Sequence, residues 1–129
     1  MAVVMVIDDD AALRRLIARA LDGKGHQVVE AENGADALAL LQQHQPAIVV
    51  TDILMPKTEG IETINKVKER FPDIKIIAMS GGGTSRNLMF LDVAKAFGAA
   101  AVIAKPFRPS ELLETVARVL GEIGRERAH

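Results

Sequence analysis

Five short apolar runs, separated by segments of helical spacing, constrain the fold of this chain more than any other feature. Most of the runs are rich in Val or Ile and too short for a helix. They are Val3–Ile7, Gln27–Ala31, Ala47–Thr51, Lys75–Met79 and Ala101–Ala104. Continuous apolar runs of this length are typical of strands that are buried on both faces of a parallel sheet.

Between these runs, apolar residues recur at helical spacing. In the first segment they follow the i, i+3, i+4, i+7 and i+8 pattern of one helix face, and they are Leu13, Leu16, Ile17, Ala20 and Leu21. Similar spacing predicts four further helices, around residues 37–41, 61–67, 88–94 and 112–123. The order βα, repeated five times, predicts an α/β fold in which a five-stranded parallel sheet is doubly wound, with helices on both faces.

The length and composition fit one domain. The chain has 129 residues, of which 49% are hydrophobic and 26% are charged, as expected for a globular core with a solvated surface. We expect a single domain over residues 1–123 and a short C-terminal tail over residues 124–129.

The charge balance and the cysteine count exclude several classes of protein. The net charge is −1, without the basic excess that a nucleic-acid-binding protein usually shows, so no nucleic-acid partner is expected. Because the chain contains no cysteine, it has neither disulfides nor thiolate metal sites. The opening apolar run is too short for a secretory signal or a membrane span, which indicates a cytoplasmic protein without a membrane partner.

Polar side chains follow the predicted strands at the point where each strand ends. The first strand is followed by Asp8 and Asp9, the third by Asp52, the fourth by Ser80 and the fifth by Lys105. In parallel sheets of this kind, ligands bind beyond the carboxyl ends of the strands. We therefore expect three carboxylates, a hydroxyl and an amine to meet at one edge of the sheet.

Such a cluster favours a bound Mg²⁺ and phosphoryl transfer. Clustered carboxylates repel one another, and a divalent cation offsets the repulsion. Carboxylate, carbonyl and water oxygens are the ligands that Mg²⁺ prefers, whereas Zn²⁺ would favour Cys or His, which the cluster lacks. Phosphoryl transfer mainly requires positioning and neutralisation of charge, and an Asp carboxylate can act as the nucleophile.

Each part of the cluster also has a simpler interpretation. Asp8, Asp9 or Asp10 could cap the first helix, since Asp is favoured there, although a cap needs only one residue. The segment from Asp52 to Pro56 could be an ordinary turn after a strand. Lys105 could be a solvated surface lysine.

The motifs identify a family resemblance. The chain resembles the receiver domains of two-component response regulators, and the matching stretches are VMVIDDD, IVVTDILMP, IIAMSGG and GAAAVIAKPF. Together with the alternating layout, the resemblance covers roughly residues 2–123. It implies a flavodoxin-like receiver fold and a single-domain response regulator of the stand-alone type.

The resemblance implies a set of metal ligands. Asp9 and Asp52 would bind Mg²⁺ directly, and Asp8 would hold a metal-bound water. The backbone carbonyl of Leu54 would be the third protein ligand.

The resemblance also implies roles in phosphoryl transfer. Asp52 would accept the phosphoryl group, Ser80 would be the switch hydroxyl, and Lys105 would contact the phosphate. Pro106 occupies a position that is prone to a cis peptide bond in the family.

The implied partners are proteins. The phosphoryl donor would be a phosphohistidine on a histidine kinase or a phosphotransfer protein. The phosphorylated form would signal by a conformational switch, through contact with a downstream protein. The face formed by the fourth and fifth predicted helices and the fifth strand would bind that partner or form a homodimer.

The sequence departs from the family pattern at Val102 and in the segment that begins at Gly81. Val102 stands three residues before Lys105, where the family often has Tyr or Phe, so a rotating aromatic side chain cannot relay the switch. Gly81–Gly83 opens a segment that is longer than usual, and we expect this loop to move and to gate the site.

Two other functions compete with the phosphoacceptor switch. A small phosphatase of the haloacid dehalogenase type would use the Asp-x-Asp of Asp8 to Asp10, but Ala12 stands where Thr or Val is expected and the later acidic pair is missing. A pseudo-receiver would bind partners without phosphorylation, which the complete set of polar residues at the strand ends disfavours.

Leu54 predicts slow loss of the phosphoryl group. A polar side chain at this position, two residues after the phosphoacceptor, could orient an attacking water, whereas leucine neither donates nor accepts a hydrogen bond. We expect phosphorylated Leu54→Asn to hydrolyse faster than the phosphorylated wild type when decay of the labelled protein is followed. Equal or slower decay in the variant would contradict this expectation.

Overall fold

The computed structural model describes residues 2–53, 59–80, 92 and 98–128. In these residues the strands are β1 (Val3–Ile7), β2 (Gln27–Ala31), β3 (Ile48–Asp52), β4 (Lys75–Ser80) and β5 (Ala101–Ala104). The helices are α1 (Ala11–Asp22), α2 (Gly34–His44), α3 (Glu59–Arg70) and a C-terminal helix, α4 (Pro109–Ala128).

The five strands form one parallel sheet in the order β2-β1-β3-β4-β5. This is the strand order of flavodoxin-like, doubly wound folds, so the predicted fold class is confirmed. The observed strands agree with the predicted runs, except that β3 begins one residue later, at Ile48, and that β3 and β4 extend to Asp52 and Ser80. Both extensions are part of the ladder, because Asp52 pairs with Met79 and Ser80 pairs with Ala104.

Helices cover both faces of the sheet because neighbouring side chains of a strand point in opposite directions. In β1, Val4 and Val6 belong to a core that also contains Ile17 of α1 and Val116 of the C-terminal helix. Met5 and Ile7 face the other way and pack in a second core with residues of α2 and α3. The sheet therefore lies between two helical layers.

The prediction that every strand is buried on both faces is wrong for β2 and in part for β5. Gln27 and Glu30 of β2 and Ala104 of β5 are exposed, whereas the residues of β3 are all buried. The reason is that β2 and β5 lie at the two edges of the sheet, where each has a neighbouring strand on one side only. A run of apolar residues does not reveal which strand lies at an edge.

The predicted apolar face of α1 is also partly wrong. Leu16 is 52% exposed, and the buried positions of the helix are Arg14, Ile17 and Leu21. Positions 14, 17 and 21 follow the i, i+3 and i+7 pattern, so the stripe that faces the sheet begins with an arginine.

The C-terminal helix continues to Ala128, through residues that the sequence analysis assigns to a tail. Ile123 of this helix is buried in the first core, and Glu126 accepts a hydrogen bond of 3.0 Å from Lys75 Nζ at the start of β4. The domain boundary at residue 123 stays a prediction.

The predicted fourth helix, around residues 88–94, and the Gly81–Gly83 loop fall largely or wholly outside the described residues. Among the helices that the structure does describe, none combines the length and the apolar character that crossing a bilayer requires.

The packing of the C-terminal helix predicts a large difference between two neighbouring substitutions. Leu112 is fully buried in the first core, so Leu112→Ala should lower the free energy of unfolding by about 2–5 kcal/mol. Glu114 is exposed on the same helix, and Glu114→Ala should change it by less than about 0.5 kcal/mol. Urea unfolding of both variants measures the difference, and similar values would contradict this packing.

Candidate functional site

The register of the sheet brings the polar strand ends together. Ile7 of β1 is paired with Thr51 of β3, so the next residues, Asp8 and Asp52, lie side by side. Ser80 of β4 is paired with Ala104 of β5, and the amide of Lys105 donates a 2.6 Å hydrogen bond to the carbonyl of Ser80. The edge predicted from the sequence therefore exists as one contiguous group.

Asp8, Asp9 and Asp52 form an acidic group that has the right size for a divalent cation. One carboxylate oxygen of each lies within 4.8 Å of those of the other two. Ligand oxygens on opposite sides of an octahedral Mg²⁺ are about 4.2 Å apart, so small side-chain adjustments suffice for all three to face one ion. The donor atoms are all oxygens, which fits Mg²⁺.

The three carboxylates differ in burial. Asp8 is 0% exposed and Asp52 is 6% exposed, whereas Asp9 lies at the surface. A cation at this group would therefore be held from inside by Asp8 and Asp52 and would be reached by solvent on the side of Asp9.

Lys105 connects the two buried carboxylates. Its Nζ donates to Asp52 Oδ2 at 2.9 Å and to Asp8 Oδ2 at 3.1 Å. The side chain of Lys105 keeps 20% of its surface exposed. The Lys105–Pro106 peptide bond is cis.

The pKa values of the group reflect this crowding. Burial raises the pKa of Asp8 above its usual value, and the charge of Asp52 adds to the effect, although the Asp10 amide and Lys105 oppose it. Burial alone would lower the pKa of Lys105, but its contacts with Asp52 and Asp8 outweigh burial and raise it. Lys105 is therefore held in its charged form beside the carboxylates.

The interpretation of the acidic run as a helix cap applies to one residue of three. Asp10 is the N-cap of α1, and its Oδ1 accepts from the Leu13 amide at 3.1 Å. The Asp10 amide itself donates to Asp8 Oδ1 at 2.9 Å. The cap thus also orients Asp8.

Ser80 is fully buried at the end of β4, and Val102, in β5, is partly buried against the second core. Leu54, the predicted carbonyl ligand, lies outside the described residues, as does Gly81–Gly83.

Sequence reasoning missed one residue that contacts the site. Arg14 is buried, and its Nη1 donates to the backbone carbonyl of Asp8 at 2.8 Å. One feature of the sequence could have revealed it. Arg14 stands three residues before Ile17 and seven before Leu21, so it lies on the same face of the helix as these two apolar residues.

This arrangement defines a small α/β domain with a candidate cation and phosphate pocket at the carboxyl edge of its sheet, and comparisons with known proteins identify its family. Residues 4–117 match the family model described as response regulator receiver domain. Chemotaxis protein CheY of Bacillus subtilis is 36% identical over 118 residues, which cover 91% of this chain and 96% of CheY. A solved CheY-like receiver domain protein from Methanospirillum hungatei has a TM-score of 0.87 at 28% identity, over 98% of each chain.

The chain belongs to the response regulator receiver domain family of two-component systems. A further relative, the phosphate regulon transcriptional regulatory protein PhoB of Pseudomonas aeruginosa, is 36% identical over 94% of this chain, which spans only 52% of PhoB. Receiver domains of the CheY type are signalling switches rather than classical enzymes, and phosphorylation and Mg²⁺ binding are typical of the family. In general they interact with histidine kinases and downstream targets.

The Lys105 contacts predict that this lysine stabilises the metal-free protein. Lys105→Met leaves two buried carboxylates without their shared cation and should lower the free energy of unfolding by about 3 kcal/mol. Lys75→Met is the matched control, because Lys75 pairs with a carboxylate that is 59% exposed, and it should cost less than about 1 kcal/mol.

Denaturant unfolding in the presence of a chelator measures both variants. Equal losses of unfolding free energy in the two variants would contradict the prediction, because the Lys105 contacts would then stabilise the protein no more than the exposed Lys75–Glu126 pair does.

Proposed function

We propose that this receiver domain accepts a phosphoryl group on Asp52 from a phosphohistidine of a histidine kinase or phosphotransfer protein, in a reaction that depends on Mg²⁺. The observation that carries the proposal is the contact of Lys105 Nζ with both Asp52 and Asp8, beside the exposed carboxylate of Asp9. A nucleophile, a positive charge and oxygen ligands for a cation thus lie together at an accessible edge.

In the proposed reaction, a carboxylate oxygen of Asp52 attacks phosphorus and forms an acyl phosphate. The donor reacts with its second ring nitrogen protonated: its P–N bond breaks, the electron pair stays on the nitrogen that held phosphorus, and neutral histidine leaves. No oxidant, reductant or further reactant is needed.

Lys105 neutralises part of the charge of the phosphoryl group. Its ammonium already lies 2.9 Å from Asp52 Oδ2, so a short movement brings it to an oxygen of the transferred group. Ser80 would donate its hydroxyl hydrogen to a second oxygen. The hydrogen bond between the Lys105 amide and the Ser80 carbonyl ties the two residues together, so they can respond as a unit.

Asp8, Asp9, Asp52 and the carbonyl of Leu54 would hold the Mg²⁺, with Asp8 acting through a metal-bound water. When bound, the ion would supply positive charge to the phosphoryl oxygens during transfer. The burial of Asp8 and its contact with the Asp10 amide support this assignment, because they keep its carboxylate in one orientation.

The phosphoryl group adds about −1.5 to −2 charges and strong acceptor oxygens, which would favour a new position of Ser80, Lys105 and β5. A partner that prefers this packing would read the phosphorylated state.

We place the output surface, or a homodimer contact, on β5, the C-terminal helix and the segment before β5. Because the proposed phosphoryl donors, a histidine kinase or a phosphotransfer protein, belong to two-component systems, we place the reaction in the cytoplasm. We also place the receiver unit within residues 1–123.

Intact mass after incubation with acetyl phosphate and Mg²⁺ tests the proposal. We expect a single phosphoryl adduct on the wild type, because acetyl phosphate replaces the phosphohistidine as donor. Asp52→Asn should show no adduct. Asp22→Asn is the matched control, because it removes an exposed carboxylate at the far end of α1, and it should be labelled like the wild type.

The other outcomes point to the competing functions. Labelling of Asp52→Asn would assign the acceptor to another residue. Release of many phosphate molecules per chain would favour a phosphatase, and an unlabelled wild type would favour a pseudo-receiver.

A further inference from the structure

A buried arginine on α1 has no part in the proposed chemistry. Arg14 is 7% exposed and lies in the stripe of α1 that faces the sheet, beside Ile17 and Leu21. Arginine is rarely buried to this degree unless its charge is paired and hydrogen-bonded. Its contacts therefore indicate what holds it there.

Arg14 makes two directed contacts. Its Nη1 donates to the backbone carbonyl of Asp8 at 2.8 Å, and its Nε donates to Glu30 Oε1 at 3.1 Å. Glu30 lies on β2 and keeps 38% of its side-chain surface exposed. The guanidinium is planar, so the contact with Glu30 at one edge orients the edge that reaches Asp8.

With the contact from Arg14, every polar group of Asp8 has a hydrogen-bond partner. Its amide donates to the Ala31 carbonyl at 3.2 Å, its Oδ1 accepts from the Asp10 amide, and its Oδ2 accepts from Lys105. The backbone carbonyl is the remaining polar group, and Arg14 binds it.

This contact also affects Asp9. The carbonyl of Asp8 and the amide of Asp9 belong to one planar peptide unit, so a donor that fixes the carbonyl also fixes the direction in which the chain reaches the Asp9 Cα atom. Asp9 is the exposed member of the acidic group.

We propose that Arg14, oriented by Glu30, is a positioning residue that holds the Asp8–Asp9 peptide so that both carboxylates are preorganised for a divalent cation. The inference rests on the proposed function, because metal binding is one of its readouts. Contacts of this kind behind metal ligands are commonly worth about 10–100-fold in metal affinity.

The sign of the effect separates positioning from simple electrostatics. Removing Arg14 takes away a positive charge near the carboxylates and leaves Glu30 unpaired. By charge alone, both changes would strengthen the binding of a cation. Loss of positioning weakens it. A role limited to packing would lower the stability of the protein and leave the affinity of the folded protein unchanged.

Calorimetric titration with Mg²⁺ tests the proposal in four proteins: wild type, Arg14→Met, Arg14→Lys and Arg15→Met. Methionine keeps the length of the apolar stem and removes the donors. We expect Arg14→Met to bind Mg²⁺ about tenfold more weakly than the wild type and Arg14→Lys to lie between them. Arg15→Met removes the same charge from the exposed neighbouring position and should bind at least as tightly as the wild type.

Amide hydrogen exchange in the metal-free proteins provides a readout that needs no ion. Arg14→Met should accelerate exchange of the Asp10 amide, which donates to Asp8, more than Arg15→Met does. If Arg14→Met does not fold, Glu30→Gln takes its place in the exchange measurement, because it removes the charged contact that orients Arg14 and leaves the arginine present. We expect it to accelerate exchange of the Asp10 amide, and exchange as slow as in Arg15→Met would overturn the proposal.

Arg14→Met that binds Mg²⁺ as tightly as the wild type, or more tightly, would overturn the proposal. A wild type that binds no Mg²⁺ would instead overturn the proposed function. In that case the exchange of the Asp10 amide decides the positioning claim alone, and equal exchange in Arg14→Met and Arg15→Met would overturn it.

Discussion

The contact of one ammonium group with two buried carboxylates holds the carboxyl edge of this sheet together. Lys105 Nζ reaches Asp52 and Asp8 at 2.9 and 3.1 Å, and these residues follow or end three different strands. Without that cation, two carboxylates would face each other in a pocket that excludes most water, at considerable cost. The parallel register makes the contact possible, because it places the ends of β1, β3 and β5 at one edge.

Burying the carboxylates of Asp8 and Asp52 next to each other lowers the stability of the folded protein. Burial and the neighbouring charge of Asp52 raise the pKa of Asp8, so its ionised form is less favourable than it would be in water. The Asp10 amide and Lys105 hold that carboxylate in place nevertheless, and Arg14 holds the backbone carbonyl of the same residue. Clusters of this kind are typical of functional sites, where strong affinity for a cation or a reacting group offsets the loss of stability.

Much of the fold and the composition of the site could be predicted from the sequence. Short Val- and Ile-rich runs mark strands by their length, and parallel strands must end at one edge, so Asp8, Asp52 and Lys105 were expected to meet there. Burial was harder to predict. Leu16 and Arg14 both lie on α1, but which of them is buried depends on the residues that face each side chain in the fold. The partner of Arg14 is Glu30, which lies on β2, and the sequence of α1 does not reveal that contact. The exposure of β2 likewise depends on its place at the sheet edge.

A crystal structure of the protein with Mg²⁺ and beryllofluoride, which imitates a phosphoryl group, tests the central claim most directly. We expect beryllium bonded to a carboxylate oxygen of Asp52, a magnesium ion bound by Asp9 and Asp52, and Lys105 Nζ within hydrogen-bond distance of a fluoride. Beryllofluoride on a different residue, or a magnesium ion bound away from this acidic group, would contradict it.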